Sequence, residues 1–465
     1  VVADRPNVLF VFSDQHRATD LGCYGNPDVR TPRLDAFAAQ GARAKVAVSN
    51  TPVCGPYRAS LMTGMYTHRC AYPTNYVPFV PPGPCVAEVF KENGYDTGYV
   101  GKWHLHFPSG DPAANRSDDA AAGFVPHDAR RGFDDYWAAF NGSHQYYEWT
   151  YYRDDPTPIH VNAYQPEIQV DQALEFIRDR QERGIPWCLF LSWGPPHTPF
   201  DPPAGYAEPY ATTSLPPNVP SGRATEYATK ELPNYYGLVQ SLDDAFGRLL
   251  DELDAMGATD DTVCVYTSDH GEMLGAHGYR GNKRWPYDAS LRVPFLVRYP
   301  GHIGAGSTLE RPIGTPDLFP TLAELAGLSA PSGLDGRSAA HALLTGDESD
   351  RDEYAYCTMP YAYVPWPGWR ALRSARYMYA ATQDGPWLLY DMEDDPWEMR
   401  NVVADPTRAD IVAELADMLT ERMARTGDSW EYRVDSGDWD LWQPATSKMR
   451  AYDLGTPWPG SDALD

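Results

Sequence analysis

The chain has 465 residues, with 38 Lys and Arg against 64 Asp and Glu and a formal net charge of −26. That balance argues against nucleic acid, whose phosphates need a basic footprint. A hydrophobic share of 43% and a charged share of 22% argue against disorder or a fibrous repeat, and the apolar runs, such as 8–12 and 187–193, are too short to span a membrane.

Residues 1 to about 345 alternate short apolar runs with helical periods, the pattern of a mostly parallel sheet covered by helices. A buried strand is predicted over 7–12, then a helix over 34–40 closed by Gly41. Further helices follow over 86–93, 167–183, 238–256 and 317–326, and further strands over 97–100, 187–192, 262–267 and 293–299. Beyond about residue 350 short alternating segments at 354–357, 375–380 and 387–392 predict a small antiparallel sheet. A helix over 411–425 packs on it, and a tryptophan-rich tail follows. The organisation is α/β, with one domain over 1–350 and a smaller α+β subdomain over 351–465.

Ligands bind where the strands of an open α/β sheet end, because the loops there leave polar groups free. Four predicted strands end in reactive residues. They are Asp14, Gln15 and His16 after the first, and Gly101, Lys102, Trp103 and His104 after 97–100. Pro195, Pro196 and His197 follow 187–192, and Ser268, Asp269, His270, Gly271 and Glu272 follow 262–267. Asp14, Gln15 and Asp269 are hard oxygen donors suited to Ca²⁺ or Mg²⁺, and His270 adds a nitrogen. Lys102, Lys283 and Arg58 supply charge for an anionic group, while His104 and His197 move protons near neutral pH. Together these groups describe a site that cleaves an anionic ester. Only six of the 38 cations are lysines (Lys45, Lys91, Lys102, Lys230, Lys283 and Lys448), which makes each of them informative.

The segment Cys54-Gly55-Pro56-Tyr57-Arg58, continuing to Leu61-Met62-Thr63-Gly64, resembles the maturation signature of the type I sulfatases, in the alkaline phosphatase superfamily. Asp14-Gln15 is similar to that family's first metal pair, Gly101-Lys102-Trp103-His104 to its Gly-Lys-Trp-His element, and His197 to its loop histidine. Ser268-Asp269-His270-Gly271 resembles the second metal pair, Lys283 the sulfate lysine, and Leu389-Tyr390-Asp391 with Asp395-Pro396-Trp397-Glu398 the carboxyl-terminal element. One departure is Tyr57, which stands where the commonest form has Ser or Ala.

The resemblance implies an alkaline-phosphatase-like α/β/α sandwich and a sulfuric ester hydrolase. It implies that a formylglycine-generating enzyme converts Cys54 to Cα-formylglycine, whose hydrate attacks sulfur. Asp14, Gln15, Cys54, Asp269 and His270 would hold Ca²⁺, with Mg²⁺ or Mn²⁺ as alternatives. Arg58, Lys102 and Lys283 would offset sulfuryl charge, Asp269 would help to deprotonate the nucleophile, His197 would protonate the leaving alcohol, and His104 would take the proton that releases sulfate. A sulfated mono- or oligosaccharide is the leading substrate and an aryl or alkyl sulfate the next. The competing reading is a phosphonate monoester or phosphodiester hydrolase on the same scaffold.

Other features carry less. The segment 136–152 holds eight aromatics, which either pack or line a sugar-binding cleft with His144 as its polar contact. Trp285, Trp366 and Trp369 are further candidates for substrate contact. Arginine supplies 32 of the 38 cations, a bias expected of a GC-rich bacterial genome, and in a bacterial protein the glycosylation sequons at Asn115 and Asn141 would have no use. Seven cysteines, an odd number, make no disulfide scaffold, and those other than Cys54 read as core thiols. No leader pattern precedes the first strand, and both a cytoplasmic and a secreted location fit.

Overall fold

A computed structural model describes residues 5–75, 77–107, 123–279, 283–360 and 368–430. Trp366, the sequon at Asn115 and the tail beyond residue 430 lie outside the described residues.

The main sheet has eight strands, ordered Ser307–Leu309, Ala42–Ala44, Phe295–Arg298, Thr262–Ser268, Asn7–Asp14, Trp187–Pro196, Asp96–Lys102 and Tyr136–Phe140. The five from Thr262–Ser268 onward run parallel, whereas Phe295–Arg298 is antiparallel to both its neighbours. The central strand Asn7–Asp14 is buried along its whole length. Its period of two sends Val8, Phe10 and Phe12 to one face and Leu9 and Val11 to the other. Trp187–Pro196 divides the same way, with Cys188 and Phe190 against Leu189 and Leu191.

Helices cover both faces. Cys54–Thr63, Val86–Glu92 and Thr315–Leu325 pack on the side of Phe10, and Pro32–Gln40, Gln165–Arg183 and Arg223–Ala255 pack on the side of Leu9. The result is an α/β/α sandwich. Each apolar side chain so enclosed contributes about 1.5–3 kcal/mol, and the helix Arg223–Ala255 alone brings Leu238, Leu242, Phe246, Leu249 and Leu253 to zero exposure. Among the described residues no helix is long and apolar enough to cross a membrane.

A four-stranded antiparallel sheet follows: Ala355–Met359, Trp369–Arg373, Tyr377–Thr382 and Gly385–Asp391, in chain order. Tyr356, Leu372, Tyr379 and Leu389 meet Leu415 and Leu419 of the helix Ala409–Thr426. The opposite face, with Cys357, Trp369 and Met378, packs on Val46, Val48 and Trp285 of the preceding part of the chain. Arg373 joins the two parts, donating from Nε and Nη2 to the Asp288 carboxylate at 2.7 and 2.8 Å.

Several elements differ from expectation for physical reasons. The expected strand 293–299 is split by Pro294, which lacks the N–H a ladder needs, so Arg292–Val293 and Phe295–Arg298 enter different sheets. Conversely, Pro233 does not break the helix Arg223–Ala255, which begins well before the predicted residue 238. Burial of Ala228, Leu232, Tyr235 and Tyr236 around the proline outweighs the lost backbone bond. The strands Tyr136–Phe140 and Trp369–Arg373 and the helix Cys54–Thr63 were not distinguishable by periodicity, since all three are buried throughout or nearly so.

Candidate active site

The parallel strands deliver their last residues to one edge, and there the chain concentrates buried charge. Asp14, Arg58, Lys102, Asp269 and His270 all have zero exposure. Cys54 is the first residue of the helix Cys54–Thr63, where unpartnered backbone N–H groups favour negative charge. Its Sγ lies 3.1 Å from His270 Nε2, 3.2 Å from Lys283 Nζ and 3.6 Å from Asp14 Oδ1. Asn75 steadies the turn, its Oδ1 accepting from Gly55 N at 2.8 Å.

Around that thiol the cations are held in place. Lys102 Nζ donates to Asp14 Oδ2 at 2.6 Å. Arg58, one turn along the helix from Cys54, donates to Asp269 Oδ2 at 3.2 Å, to Ser192 Oγ at 2.7 Å and to the Lys102 carbonyl at 2.5 Å. Lys283 Nζ reaches Gln15 Oε1 at 3.1 Å and His197 Nε2 at 2.8 Å. His197 Nδ1 lies 2.7 Å from the Thr198 carbonyl. A carbonyl only accepts, so Nδ1 carries the proton and Nε2 faces Lys283 with its lone pair.

Electrostatics separate the two aspartates. Burial pushes the Asp14 carboxyl up, but Lys102, His197, His270 and Lys283 outweigh burial and hold it well below the usual range. Asp269 is pushed up to about 6 by burial and by the charge of Asp14. Burial brings His270 down to about 4. Burial, then the charges of Lys102 and Arg58, hold His104 well below its ordinary value, so its ring is a neutral proton acceptor. Lys283 is raised: burial disfavours its charge, and the charges at Cys54, Asp14 and Asp269 more than compensate.

One oxygen, nitrogen or sulfur from each of Asp14, Cys54, Asp269 and His270 falls within 4.8 Å of all the others. His270 Nδ1 lies 2.9 Å from the Gly271 carbonyl, which fixes its proton there and aims the Nε2 lone pair inward. Two buried carboxylates and an inward imidazole lone pair, with Gln15 beside them, fit a divalent cation. The elevation of Asp269 by Asp14 is the repulsion such an ion relieves. Gln15 adopts a left-handed backbone with φ of 75°. Its N–H donates to Asp269 Oδ1 at 3.0 Å, and its side-chain amide donates to the Glu272 carboxylate.

Cys54, Arg58, Lys102, His197, Asp269, Lys283, Asp14, Gln15 and His270 therefore meet in one contact network, and His104 lies near enough for three of its charges to act on the ring. His144 joins by stacking on His197, with ring centroids 3.8 Å apart and planes 9° from parallel. Trp285 is 5% exposed and stacks on Tyr279 at 4.3 Å within the core that carries the second sheet. Trp369 is likewise buried, its Nε1 donating to the Arg284 carbonyl at 2.9 Å. In the segment 136–152 packing prevails: Trp137 stacks on Tyr99 at 5.4 Å, and Tyr146 and Trp149 are buried. Sequence reasoning missed Ser192, Tyr99 and Asn75, whose contacts join residues distant in the chain. It also gave no role to Glu272, although it stands three residues after Asp269.

Comparison with known proteins agrees with this picture. Residues 6–328 match the Sulfatase family model, and residues 275–425 match the model described as N-sulphoglucosamine sulphohydrolase, C-terminal. The Ulvan-active sulfatase of Formosa agariphila is 35% identical over 438 residues, covering 92% of this chain and 83% of that protein. The Endo-4-O-sulfatase of Bacteroides thetaiotaomicron is 26% identical over 489 residues, covering 92% and 94%. The solved structure of YidJ from Bacteroides fragilis superposes with a TM-score of 0.84 at 29% identity, covering 92% of this chain and 98% of that one. With its fold, its motifs and its buried charge cluster in agreement, the chain belongs to the sulfatase family of the alkaline phosphatase superfamily and is a sulfuric ester hydrolase.

Proposed function

We propose that the chain removes a sulfate ester from a carbohydrate, using residue 54 after its conversion from cysteine to Cα-formylglycine, together with one divalent cation, Ca²⁺. The observation that carries the reading is the place of Cys54. Its side chain touches an imidazole, an ammonium and a carboxylate at once, at the head of a helix, which is where a nucleophile for an anionic ester belongs. The carbohydrate is supported by the relatives: besides the two above, the N-acetylglucosamine-6-O-sulfatase of Bacteroides thetaiotaomicron is 26% identical over 518 residues.

The hydrated aldehyde supplies two hydroxyls on one carbon, so that the second can expel the sulfate that the first has accepted. Asp14, Gln15, Asp269 and His270 hold the cation, which supplies positive charge beside residue 54. The protein's own groups do the rest. Arg58, Lys102 and Lys283 face the sulfuryl oxygens with three cations, two of them pinned to Asp14 and Asp269 and unable to swing away. Asp269, beside residue 54 and fixed by Arg58, accepts the nucleophile's proton. His197 and Lys283 deliver a proton to the departing alcohol, and neutral His104 takes the proton whose loss frees sulfate.

The test has two parts. Peptide mass spectrometry across Cys54, on protein co-expressed with a formylglycine-generating enzyme, should find the aldehyde despite Tyr57. The matured protein should then release sulfate from sulfated oligosaccharides and leave matched phosphonate monoesters intact. An intact thiol in an active enzyme would overturn the nucleophile, and faster phosphonate hydrolysis would overturn the substrate.

A further inference from the structure

A second polar pocket lies apart from the cluster around Cys54. It forms where the segment before that residue, the start of the helix Thr315–Leu325 and the first strand of the antiparallel sheet meet. Asn50 belongs to its wall, and Asn50 Oδ1 accepts from Thr315 N at 2.5 Å.

Arg351 lines this pocket and is 4% exposed. Its Nη2 donates to the Pro312 carbonyl at 2.6 Å and to Asp317 Oδ2 at 3.3 Å. Its Nε and Nη1 have no hydrogen-bond partner among the described residues. Unmet donors on a buried guanidinium are costly, and a pocket in front of them is a place for an acceptor.

The carboxylates nearby are already engaged. Asp317 accepts from Gly314 N and Arg337 N at 2.9 and 2.8 Å. Asp335 accepts from Tyr66 N at 2.9 Å and pairs with Arg69. Asp352 pairs with Arg422 at 2.7 Å and with Arg425 at 3.2 Å. The pocket's own lining carries three guanidinium groups, Arg337, Arg351 and Arg422, against these three engaged carboxylates, and the positive donors left unmet are those of Arg351. The start of the helix Thr315–Leu325 adds the same sign.

We propose that this pocket binds a small tetrahedral oxyanion, sulfate or phosphate, whose oxygens accept from the unmet donors of Arg351, with Arg337 and Arg422 beside it. The site is independent of the reaction assigned to Cys54 and stands or falls without it.

Crystals of the full chain soaked in sodium selenate should show an anomalous peak in contact with Arg351, in addition to any peak near Lys283. Calorimetric titration of the wild type with sulfate and with phosphate should resolve a binding event at this pocket. That event should weaken at least tenfold in Arg351→Lys, which keeps a charge but loses the guanidinium donors. It should weaken severalfold in Arg337→Ala, a change at an exposed side chain that leaves the core and sulfatase turnover intact. Binding of phosphate alone would uphold the pocket and assign it to phosphate. A selenate peak confined to the Cys54 cluster, or titrations of Arg337→Ala indistinguishable from wild type with only water at Arg351, would overturn it.

Discussion

Lys283 Nζ lies 2.8 Å from His197 Nε2 and 3.2 Å from Cys54 Sγ, so a single ammonium joins the residue after one strand to the head of a helix. Proton delivery to a leaving alcohol is worth ~10²–10⁴-fold. His197→Asn should lose that much kcat on sugar sulfates and far less on an activated aryl sulfate, whose phenolate leaves without a proton, whereas Lys283→Ala, which also removes a cation from the sulfuryl group, should lose kcat on both. Steady-state kinetics on the two substrate types checks this, and equal losses on both in His197→Asn would exclude its acid role.

Asp14 and Asp269 keep two carboxylates within a few ångströms in a buried site, at the cost of raising Asp269 to about 6. An ion bound at a hundred times its Kd stabilises the folded state by about 2.7 kcal/mol. Chelator treatment should therefore lower Tm by a few degrees, and added Ca²⁺ should restore it. Asp269→Asn should abolish that response while remaining folded, because it keeps an acceptor for Gln15 N. Calorimetric scans with and without the ion decide the point.

Gly101 has φ of 101°, and a Cβ there would lie 2.0 Å from the Ser192 carbonyl oxygen. The strand Asp96–Lys102 would have to move off Trp187–Pro196, taking Lys102 away from Asp14. Gly101→Ala should cost about 1–3 kcal/mol from strain and lost pairing, and more than a hundredfold in kcat. Urea unfolding and kinetics measure the two separately; unchanged kcat would mean that Lys102 is not positioned through this strand.

Asp243 is buried on the helix Arg223–Ala255 and accepts from Leu34 N at 2.7 Å and Arg33 N at 3.1 Å. Burial, against those two donors, raises its pKa to about 7. The unfolded value is near 3.9, so between the two the folded state holds a proton that the unfolded state has lost. Its contribution is full below about pH 4 and disappears as pH rises through 7, by an amount on the order of 4 kcal/mol. Asp243→Asn should flatten this part of the pH–stability curve, whatever its effect on absolute stability. Urea midpoints at intervals from pH 4 to 8 test it; parallel curves would show that Asp243 is ionised throughout.

Much of the site was legible because its residues come in short runs. Asp14-Gln15, Lys102 to His104 and Asp269-His270 each stand at or just after a strand whose apolar run is plain, and the topology then brings the strand ends together. Arg58 was legible as part of the run that begins at Cys54. What holds these groups was not legible. Ser192 and Tyr99 on Arg58 and Asn75 on Gly55 act across long stretches of chain, and nothing in a local window marks them. The packing of Trp285 on Tyr279 and Trp387 was not legible either, because an aromatic near a site lysine reads alike whether it packs or faces a ligand.

The alternation of sheet and helix follows from the periods of the apolar residues, and the chemistry available at the strand ends follows from the identities of the residues there. Tertiary structure alone decided how that chemistry is arranged. It set Asp269 against Asp14, turned the His197 lone pair toward Lys283, carried a helix through Pro233 and left Arg351 with unmet donors in its own pocket. Each of these depends on burial and on contacts between residues tens to hundreds of positions apart, and neither quantity exists until the chain has packed.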